Sequence, residues 1–480
     1  MKGKFIGNLL LVIILNLLIK PFYILGIDVE IINRVTPEVY GNYFALINFS
    51  FLLNILLDLG VTNYNVKNVA QNQQLLEKYF SGIITLRLFL VFIYLLATFS
   101  VAYMIGYNSF QFKLLLLLAI NQSLVAFILY MRSNFAGLHM FIQDSLISIL
   151  DRVLLIVICS ILLWGGLYQK EFQIEWFVYA QTISYLITFF VCFILTLKET
   201  KNFQFKWNPA FAFVILRKSF PYAMLILLMT IYYRIDSIML ERMKGDESAG
   251  IYAQAYRFFE ASNMLAYLFA ALLLPIFSRM LKFNESVEEL VDCSFKILIG
   301  FGSILTVFCC LYSTQIMELR YDLYTDVAAD IFIILMICFL FVASTYIYGT
   351  LLTANGNLLY LNIIAVIGVV LNIVLNLILI PHYDAFGSAV ASLITQSLTA
   401  IAQLLVCLYV FKFNFYQMFF QVFIFFIGIF CIAYASFYLN QPYSIKIIFY
   451  LFLSVAWLFV TKVVKISDFY LLVYNKHNFK

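Results

Sequence analysis

The chain has 480 residues, of which 64% are hydrophobic and only 11% are charged. Water-soluble domains carry about 25% charged residues, so this composition excludes a soluble fold and indicates a chain covered by lipid. The net charge is only +5 and the basic residues are dispersed, which argues against nucleic acid as a partner. The eight cysteines lie within apolar runs and the three histidines form no ligand pattern, so the sequence predicts neither a metal site nor a cofactor.

Long apolar runs follow one another along the whole chain. A membrane-spanning helix needs about 20 mostly apolar residues, and fourteen runs of this kind occur. They are continuously apolar, without the alternation of barrel strands, so they predict an all-α integral membrane protein. The first run has no cleavage site and is predicted to be a retained helix. In chain order the runs are 5–26, 40–61, 79–105, 110–131, 145–167, 174–197, 219–240, 252–277, 293–313, 327–353, 358–380, 386–411, 417–438 and 443–464.

The basic residues between the runs are distributed unequally between the two sides of the membrane. Seventeen lysines and arginines fall on one side and seven on the other. Because cytoplasmic loops carry the excess of basic residues, the seventeen-residue side is predicted to be cytoplasmic. Both termini then face the cytoplasm.

Two short motifs indicate an internal repeat. Gly41-Asn42-Tyr43 precedes the second run, and Gly250-Ile251-Tyr252 precedes the eighth, 209 residues later. This offset superimposes runs one to six on runs seven to twelve with the same topology, so the sequence predicts two six-helix bundles related by a pseudo-two-fold axis along the membrane normal. Asn208-Pro209 is typical of a helix start and predicts a short interfacial helix. The predicted domains are an N-terminal bundle (1–200), a cytoplasmic interfacial linker helix (201–218), a C-terminal bundle (219–412), and two additional helices with a tail (413–480).

Charged side chains within the runs are the candidate functional residues, because charges are costly inside a bilayer. A cavity that holds several cations suits an anionic cargo such as a lipid-linked diphosphate, since arginine binds phosphate oxygens bidentately. Ion pairing is the alternative, above all for Arg257 with Glu260 and for Arg152 with Asp151 or Asp144. The candidate substrate-binding cations are Lys20, Arg87, Arg152, Arg234 and Arg257, and the candidate ion-coupling acids are Asp58, Asp236 and Glu260.

Catalysis is not indicated. No loop is long enough for a soluble catalytic domain, no phosphate-binding loop is present, and no nucleophile lies beside a base. The sequence therefore predicts a transporter rather than an enzyme.

Several ordered motifs resemble bacterial polysaccharide-unit flippases of the multidrug/oligosaccharidyl-lipid/polysaccharide exporter superfamily. The segment before the twelfth run departs from the family in having Asp384 where glycine is frequent and Ser388 where alanine is frequent. The motifs are Pro37-Glu38-Val39-Tyr40-Gly41-Asn42-Tyr43, Leu57-Asp58-Leu59-Gly60, Arg234-Ile235-Asp236, Gly250-Ile251-Tyr252, Leu274-Pro275, Leu352-Thr353-Ala354-Asn355-Gly356-Asn357, and Ile380-Pro381-His382-Tyr383-Asp384-Ala385-Phe386-Gly387-Ser388-Ala389.

The resemblance implies a V-shaped pair of bundles that works by alternating access. It implies movement of undecaprenyl-diphosphate-linked oligosaccharide units from the cytoplasmic to the outer leaflet of the bacterial inner membrane, for O-antigen lipopolysaccharide, capsule or exopolysaccharide. The implied partners are the lipid-linked oligosaccharide, membrane lipids and other polysaccharide assembly proteins.

Three alternatives stay open. A peptidoglycan-precursor flippase shares the span count and the cationic cavity. A cation-coupled multidrug antiporter of the same superfamily is expected to carry an acid in its first span, whereas run 5–26 contains Lys20 and no acid. A membrane polysaccharide polymerase is expected to have a sizeable external loop, and the sequence has none.

Overall fold

Helices account for all regular secondary structure in the described part of the chain. A computed structural model describes residues 16, 18–62, 65, 74–138, 140–165, 172–200, 205, 207–414 and 416–464. A π-helical segment (Tyr23–Asp28) is followed by α1 (Val29–Val35), α2 (Pro37–Leu52), α3 (Ile55–Asp58), α4 (Gln74–Ile105), α5 (Ser109–Gly137), α6 (Phe141–Trp164), α7 (Ile174–Glu199), α8 (Pro209–Lys244), α9 (Asp246–Lys282), α10 (Glu288–Leu311), α11 (Ser313–Arg320), α12 (Thr325–Ala354), α13 (Leu358–Phe411), α14 (Tyr416–Tyr438) and α15 (Tyr443–Val460).

The predicted all-α membrane fold is confirmed. Within the described ranges, eleven helices are long and apolar enough to cross a membrane. The 54-residue helix α13 has non-helical backbone at Asp384, so it supplies two crossings. Helix α8 is more highly charged but covers the predicted run 219–240. These helices account for thirteen of the fourteen predicted crossings, and most of run 5–26 lies outside the described residues.

Two compact units divide the chain, Met1–Gln254 and Ala255–Lys480. Helix α8 belongs to the first unit because it packs along α2 and α3. The division of the sequence into bundles 1–200 and 219–412, with a linker helix and two extra helices, remains a prediction.

Helix α8 begins where the sequence predicts a helix start. Asn208 has extended backbone, its side-chain oxygen accepts a hydrogen bond from the Phe211 backbone N–H at 3.0 Å, and Pro209 occupies the first helical position. This is the arrangement that stabilises a helix N-terminus. The helix then continues without interruption to Lys244. The predicted short interfacial helix and the predicted run 219–240 are therefore one element.

Within the second unit, the last two helices pack against α10 through one face. Phe425, Ile429 and Tyr450 are buried against α10, and the Tyr450 hydroxyl donates to the Ile304 carbonyl oxygen at 3.0 Å. Phe423 and Phe452 on the opposite faces are 63% and 72% exposed. Such apolar faces fit hydrocarbon rather than water.

Candidate functional site

The first helix contains a buried acid that the sequence analysis missed. The helix does not end at residue 26 but continues through the π-helical segment and α1 to Val35. Asp28 is fully buried there and accepts a hydrogen bond from the Tyr40 hydroxyl on α2 at 2.9 Å. The boundary at residue 26 hid it, although the apolar Ile31, Ile32 and Val35 extend the helical pattern beyond it. π-helical turns occur frequently at functional sites.

Three basic side chains, Lys20, Arg132 and Arg152, form what we call the basic cluster. Lys20 is close enough to both arginines to interact with them electrostatically. The Arg152 guanidinium lies 4.9 Å from the Tyr23 ring centroid and 5.9 Å from that of Tyr185. Stacking on aromatic rings holds a guanidinium in a fixed orientation.

Two carboxylates neutralise part of the positive charge of the basic cluster. Arg132 Nε lies 2.7 Å from Asp144, whereas Arg152 Nε lies 3.7 Å from Asp151. Ser148 lies one helical turn before Arg152 on α6 and accepts a hydrogen bond from Asn16 at 3.2 Å, so this position of α6 faces protein. Within the cluster, the Arg152 side chain remains 28% exposed.

Arg87 has a different environment. Its side chain is 1% exposed and forms an ion pair with Asp58. It also donates to the Thr62 hydroxyl at 2.7 Å and to the Ala126 carbonyl oxygen at 3.1 Å, beneath the Tyr130 ring. These contacts use much of its donor capacity, so the structure favours a packing role for Arg87 and Asp58.

Arg234 and Asp236 have separate partners, as their spacing on a helix predicts. Arg234 Nη1 donates to Asn48 Oδ1 on α2 at 2.8 Å and stacks on Phe51 at 4.7 Å. Asp236 is buried and accepts a hydrogen bond of 3.5 Å from the Tyr252 hydroxyl.

Arg257 and Glu260 lie in the second unit and pair with each other at 2.5 Å. The structure thus brings Lys20 and Arg152 together, whereas Arg87, Arg234 and Arg257 each contact other partners.

Glu241, just beyond the predicted run 219–240, is a buried carboxyl group that the sequence analysis also missed. It accepts hydrogen bonds from Gln111 Nε2 at 3.4 Å and from Arg242 Nε at 2.7 Å, and Arg242 lies 4.1 Å from the Tyr107 ring centroid. Burial raises the pKa of Glu241, with Asp246 acting in the same direction and Arg242 against it. In the described part of the chain, no three His, Cys, Asp or Glu side chains group to hold a metal ion.

Solved transporters share this fold. A lipid II flippase, MurJ, in an inward closed conformation matches with a TM-score of 0.71 and 17% identity, covering 94% of this chain and 96% of that one. An inward-facing multidrug resistance MATE family transporter of the MOP superfamily matches with a TM-score of 0.61, 15% identity, and coverages of 80% and 93%. The Vibrio cholerae MATE transporter VcmN matches with a TM-score of 0.60, 13% identity, and coverages of 87% and 99%.

Comparison with curated proteins finds no match. The family model described as "Polysaccharide biosynthesis protein" matches residues 8–281, more than half of the chain. The resemblance predicted from the sequence motifs is thereby confirmed. The chain belongs to the polysaccharide biosynthesis protein family and has the fold of the MOP-superfamily transporters.

Proposed function

We propose that the protein flips an undecaprenyl-diphosphate-linked oligosaccharide unit from the cytoplasmic to the outer leaflet of the bacterial inner membrane, and that it is not an enzyme. Membership of the family supports a role in polysaccharide biosynthesis. The observation that carries the proposal is the basic cluster, in which Arg152 stacks between two tyrosines and is partly exposed.

The chemistry of the cluster fits a diphosphate. A guanidinium held by ring stacking offers paired N–H donors to phosphate oxygens, and Lys20 adds a second positive charge. Each charge-assisted hydrogen bond contributes about 1.5–3 kcal/mol. The diphosphate would bind here while the lipid tail stays in the bilayer. Peptidoglycan precursor carries the same diphosphate, so the glycan part must distinguish these two cargoes.

Arg152→Ala tests the proposal. Losing one charge-assisted bond should lower transport of a diphosphate-linked oligosaccharide in proteoliposomes about tenfold or more. Arg152→Lys should restore only part of it, because lysine keeps the charge but loses the planar fork. Arg34→Ala is the control, since Arg34 is 48% exposed and pairs with Glu30 on its own helix.

The amount of folded protein must be measured alongside transport. If Arg152 only neutralises Asp151, Arg152→Ala should reduce folded protein while transport per molecule stays normal. That outcome would refute the cationic site. Transport of lipid II but not of oligosaccharide repeat units would make the protein a peptidoglycan-precursor flippase.

Ion coupling is a further part of the proposal. Asp28 joins Asp236 as a candidate, whereas the ion pairs with Arg87 and Arg257 make Asp58 and Glu260 weaker ones. We expect ionophores to slow transport by the wild-type protein in proteoliposomes. The Asp28→Asn variant should transport slowly both with and without ionophores. Full-rate transport in the presence of ionophores would identify a passive facilitator.

Asp28 also supports a second candidate function. The absence of an acid from run 5–26 argued against a cation-coupled multidrug antiporter, and Asp28 in the continuing first helix weakens that argument. Cation-driven dye efflux by the wild-type protein, lost in Asp28→Asn, would favour the antiporter. The flippase proposal predicts no such efflux.

A further inference from the structure

The second membrane span touches its neighbours through backbone at both of its ends. At one end, a Cβ atom added to Gly41 would overlap the Asp246 carbonyl oxygen and lie 2.5 Å from the Gly250 nitrogen. At the other end, a Cβ atom added to Gly60 would lie 2.5 Å from the Ser219 carbonyl oxygen. Between these ends, Asn48 accepts the hydrogen bond from Arg234. Only glycine permits such close approach at the two ends.

The contact at Gly41 follows the internal repeat. A Cβ atom added to Gly250 would overlap the Pro37 carbonyl oxygen. Gly41 and Gly250 are 209 residues apart, and so are Pro37 and Asp246. The start of α2 and the start of α9 therefore present equivalent backbone groups to each other across a local pseudo-two-fold axis. Asn42 Nδ2 donates to Asp246 Oδ2 at 3.0 Å and strengthens this contact.

The span is interrupted on the Gly60 side, from the end of α2 up to Gly60 itself. Helix α2 ends at Leu52, α3 covers only Ile55–Asp58, and Leu59 and Gly60 have φ angles of 45° and 77°. Arg87 contacts the interrupted segment. It forms an ion pair with Asp58 and donates a hydrogen bond to the Leu57 carbonyl oxygen at 3.4 Å. Breaks of this kind let the two parts of a helix move independently.

We propose that the second span carries two glycine latches, one where Gly41 meets α9 and one where Gly60 meets α8, which open alternately while the interrupted segment acts as a hinge. This inference rests on the proposed flippase function, since alternating access requires opposite ends to open in turn. In the predicted orientation, the Gly41 latch is on the outer side and the Gly60 latch is on the cytoplasmic side. Both latches are in contact in this structure.

Accessibility of a buried cysteine tests the latches without measuring transport. Asn48→Cys, in a background whose native cysteines are replaced, places a thiol at a buried position on the α2–α8 contact. Gly41→Ala should increase its labelling by an impermeant thiol reagent about tenfold from the outside, since overpacking disfavours the closed contact. Gly60→Ala should produce the corresponding increase in inside-out vesicles.

Gly106→Ala is the matched control for strain. Gly106 has a φ of 83°, close to the 77° of Gly60, but no atom lies within 4 Å of an added Cβ. Gly106→Ala should leave the labelling of Asn48→Cys unchanged from both sides of the membrane. Opposite sidedness of Gly41→Ala and Gly60→Ala supports the proposal, whereas unchanged labelling in both folded variants, or labelling of both from one side, overturns it.

A cross-link provides the second measurement if an alanine variant fails to fold. A short bifunctional thiol reagent that joins Asn42→Cys to Asp246→Cys should hold the Gly41 latch closed and abolish transport, and a cleavable reagent should allow recovery. Transport by the fully cross-linked protein would overturn the latch while leaving the proposed function intact. Correct sidedness of labelling without flippase activity would support the latches and contradict the proposed function.

Discussion

Arg87 illustrates how a charge inside a membrane protein can be structural. Taking a guanidinium out of water is costly unless a carboxylate and hydrogen-bond acceptors replace the solvent. Asp58, Thr62 and two backbone carbonyl oxygens supply that replacement around Arg87. The same reasoning separates Arg87 from Arg152, whose carboxylate neighbour is 3.7 Å away and whose side chain remains partly exposed.

Arg87→Ala should therefore act on folding rather than on cargo. Removing one partner of a buried pair leaves the other charge uncompensated and costs about 3 kcal/mol. We expect a lower melting temperature in detergent and less protein in the membrane, with normal transport per folded molecule. Adding Asp58→Asn to Arg87→Ala should recover part of the loss. Normal abundance together with lost transport would instead place Arg87 in the binding site.

The charged candidates could be found from the sequence, but their roles could not. Their positions inside apolar runs mark Arg87 and Arg152 equally as candidate functional residues. Only the packing of other helices around them shows which guanidinium is enclosed. The Arg257–Glu260 pair was foreseeable, because both partners lie on one helix and their spacing brings them together. The pair formed by Arg87 and Asp58 joins two helices, so no local spacing encodes it.

Helix ends and breaks are the features of individual elements that composition predicts least well. The cap at Asn208 was predictable because it depends on neighbouring residues. The π-helical turn that carries Asp28, and the interruption at Leu59 and Gly60, are maintained by tertiary contacts such as the Tyr40 hydroxyl and Arg87. Run 40–61 continues across the interruption, and run 5–26 ends within the π-helical segment, so hydropathy alone reveals neither feature.

The sharp bend in α13 supports a prediction about stability. Asp384 has φ 55° and ψ −137°, a conformation that glycine adopts far more readily than a residue with a side chain. Ser388 donates to Asn376 across the bend at 3.0 Å and joins its two arms. Asp384→Gly should stabilise the protein by about 1 kcal/mol by removing backbone strain, measured as a higher melting temperature in detergent.

Asp384→Ala separates strain from charge at this position. Alanine keeps the unfavourable backbone conformation and removes the carboxylate. If alanine stabilises the protein as much as glycine does, the carboxylate rather than the backbone is responsible.

For the molecule as a whole, the hydrophobic composition predicted the membrane fold, and the internal repeat predicted which helices of the two halves are equivalent. The offset of 209 residues relates Gly41 to Gly250, and the structure places these two glycines in contact. The packing of α8 with the first unit did not follow from the repeat, which assigns that helix to the second half. A repeat gives the equivalence of helices but does not specify the helices on which each one packs.

Orientation in the membrane is the remaining prediction at this scale, and it rests on the seventeen-to-seven distribution of basic residues. Glu247 near the start of α9 and Ser286 between α9 and α10 are both exposed, and they lie on opposite predicted sides of one crossing. In a background lacking the exposed Cys431, Glu247→Cys should react with an impermeant thiol reagent in right-side-out spheroplasts, and Ser286→Cys should react only after permeabilisation. Inside-out vesicles should reverse the pattern. Because the two cysteines flank a single helix, labelling of both from one side would show that α9 does not cross the membrane, whereas exchange of the two patterns would place the termini outside the cell and reverse the direction assigned to each glycine latch.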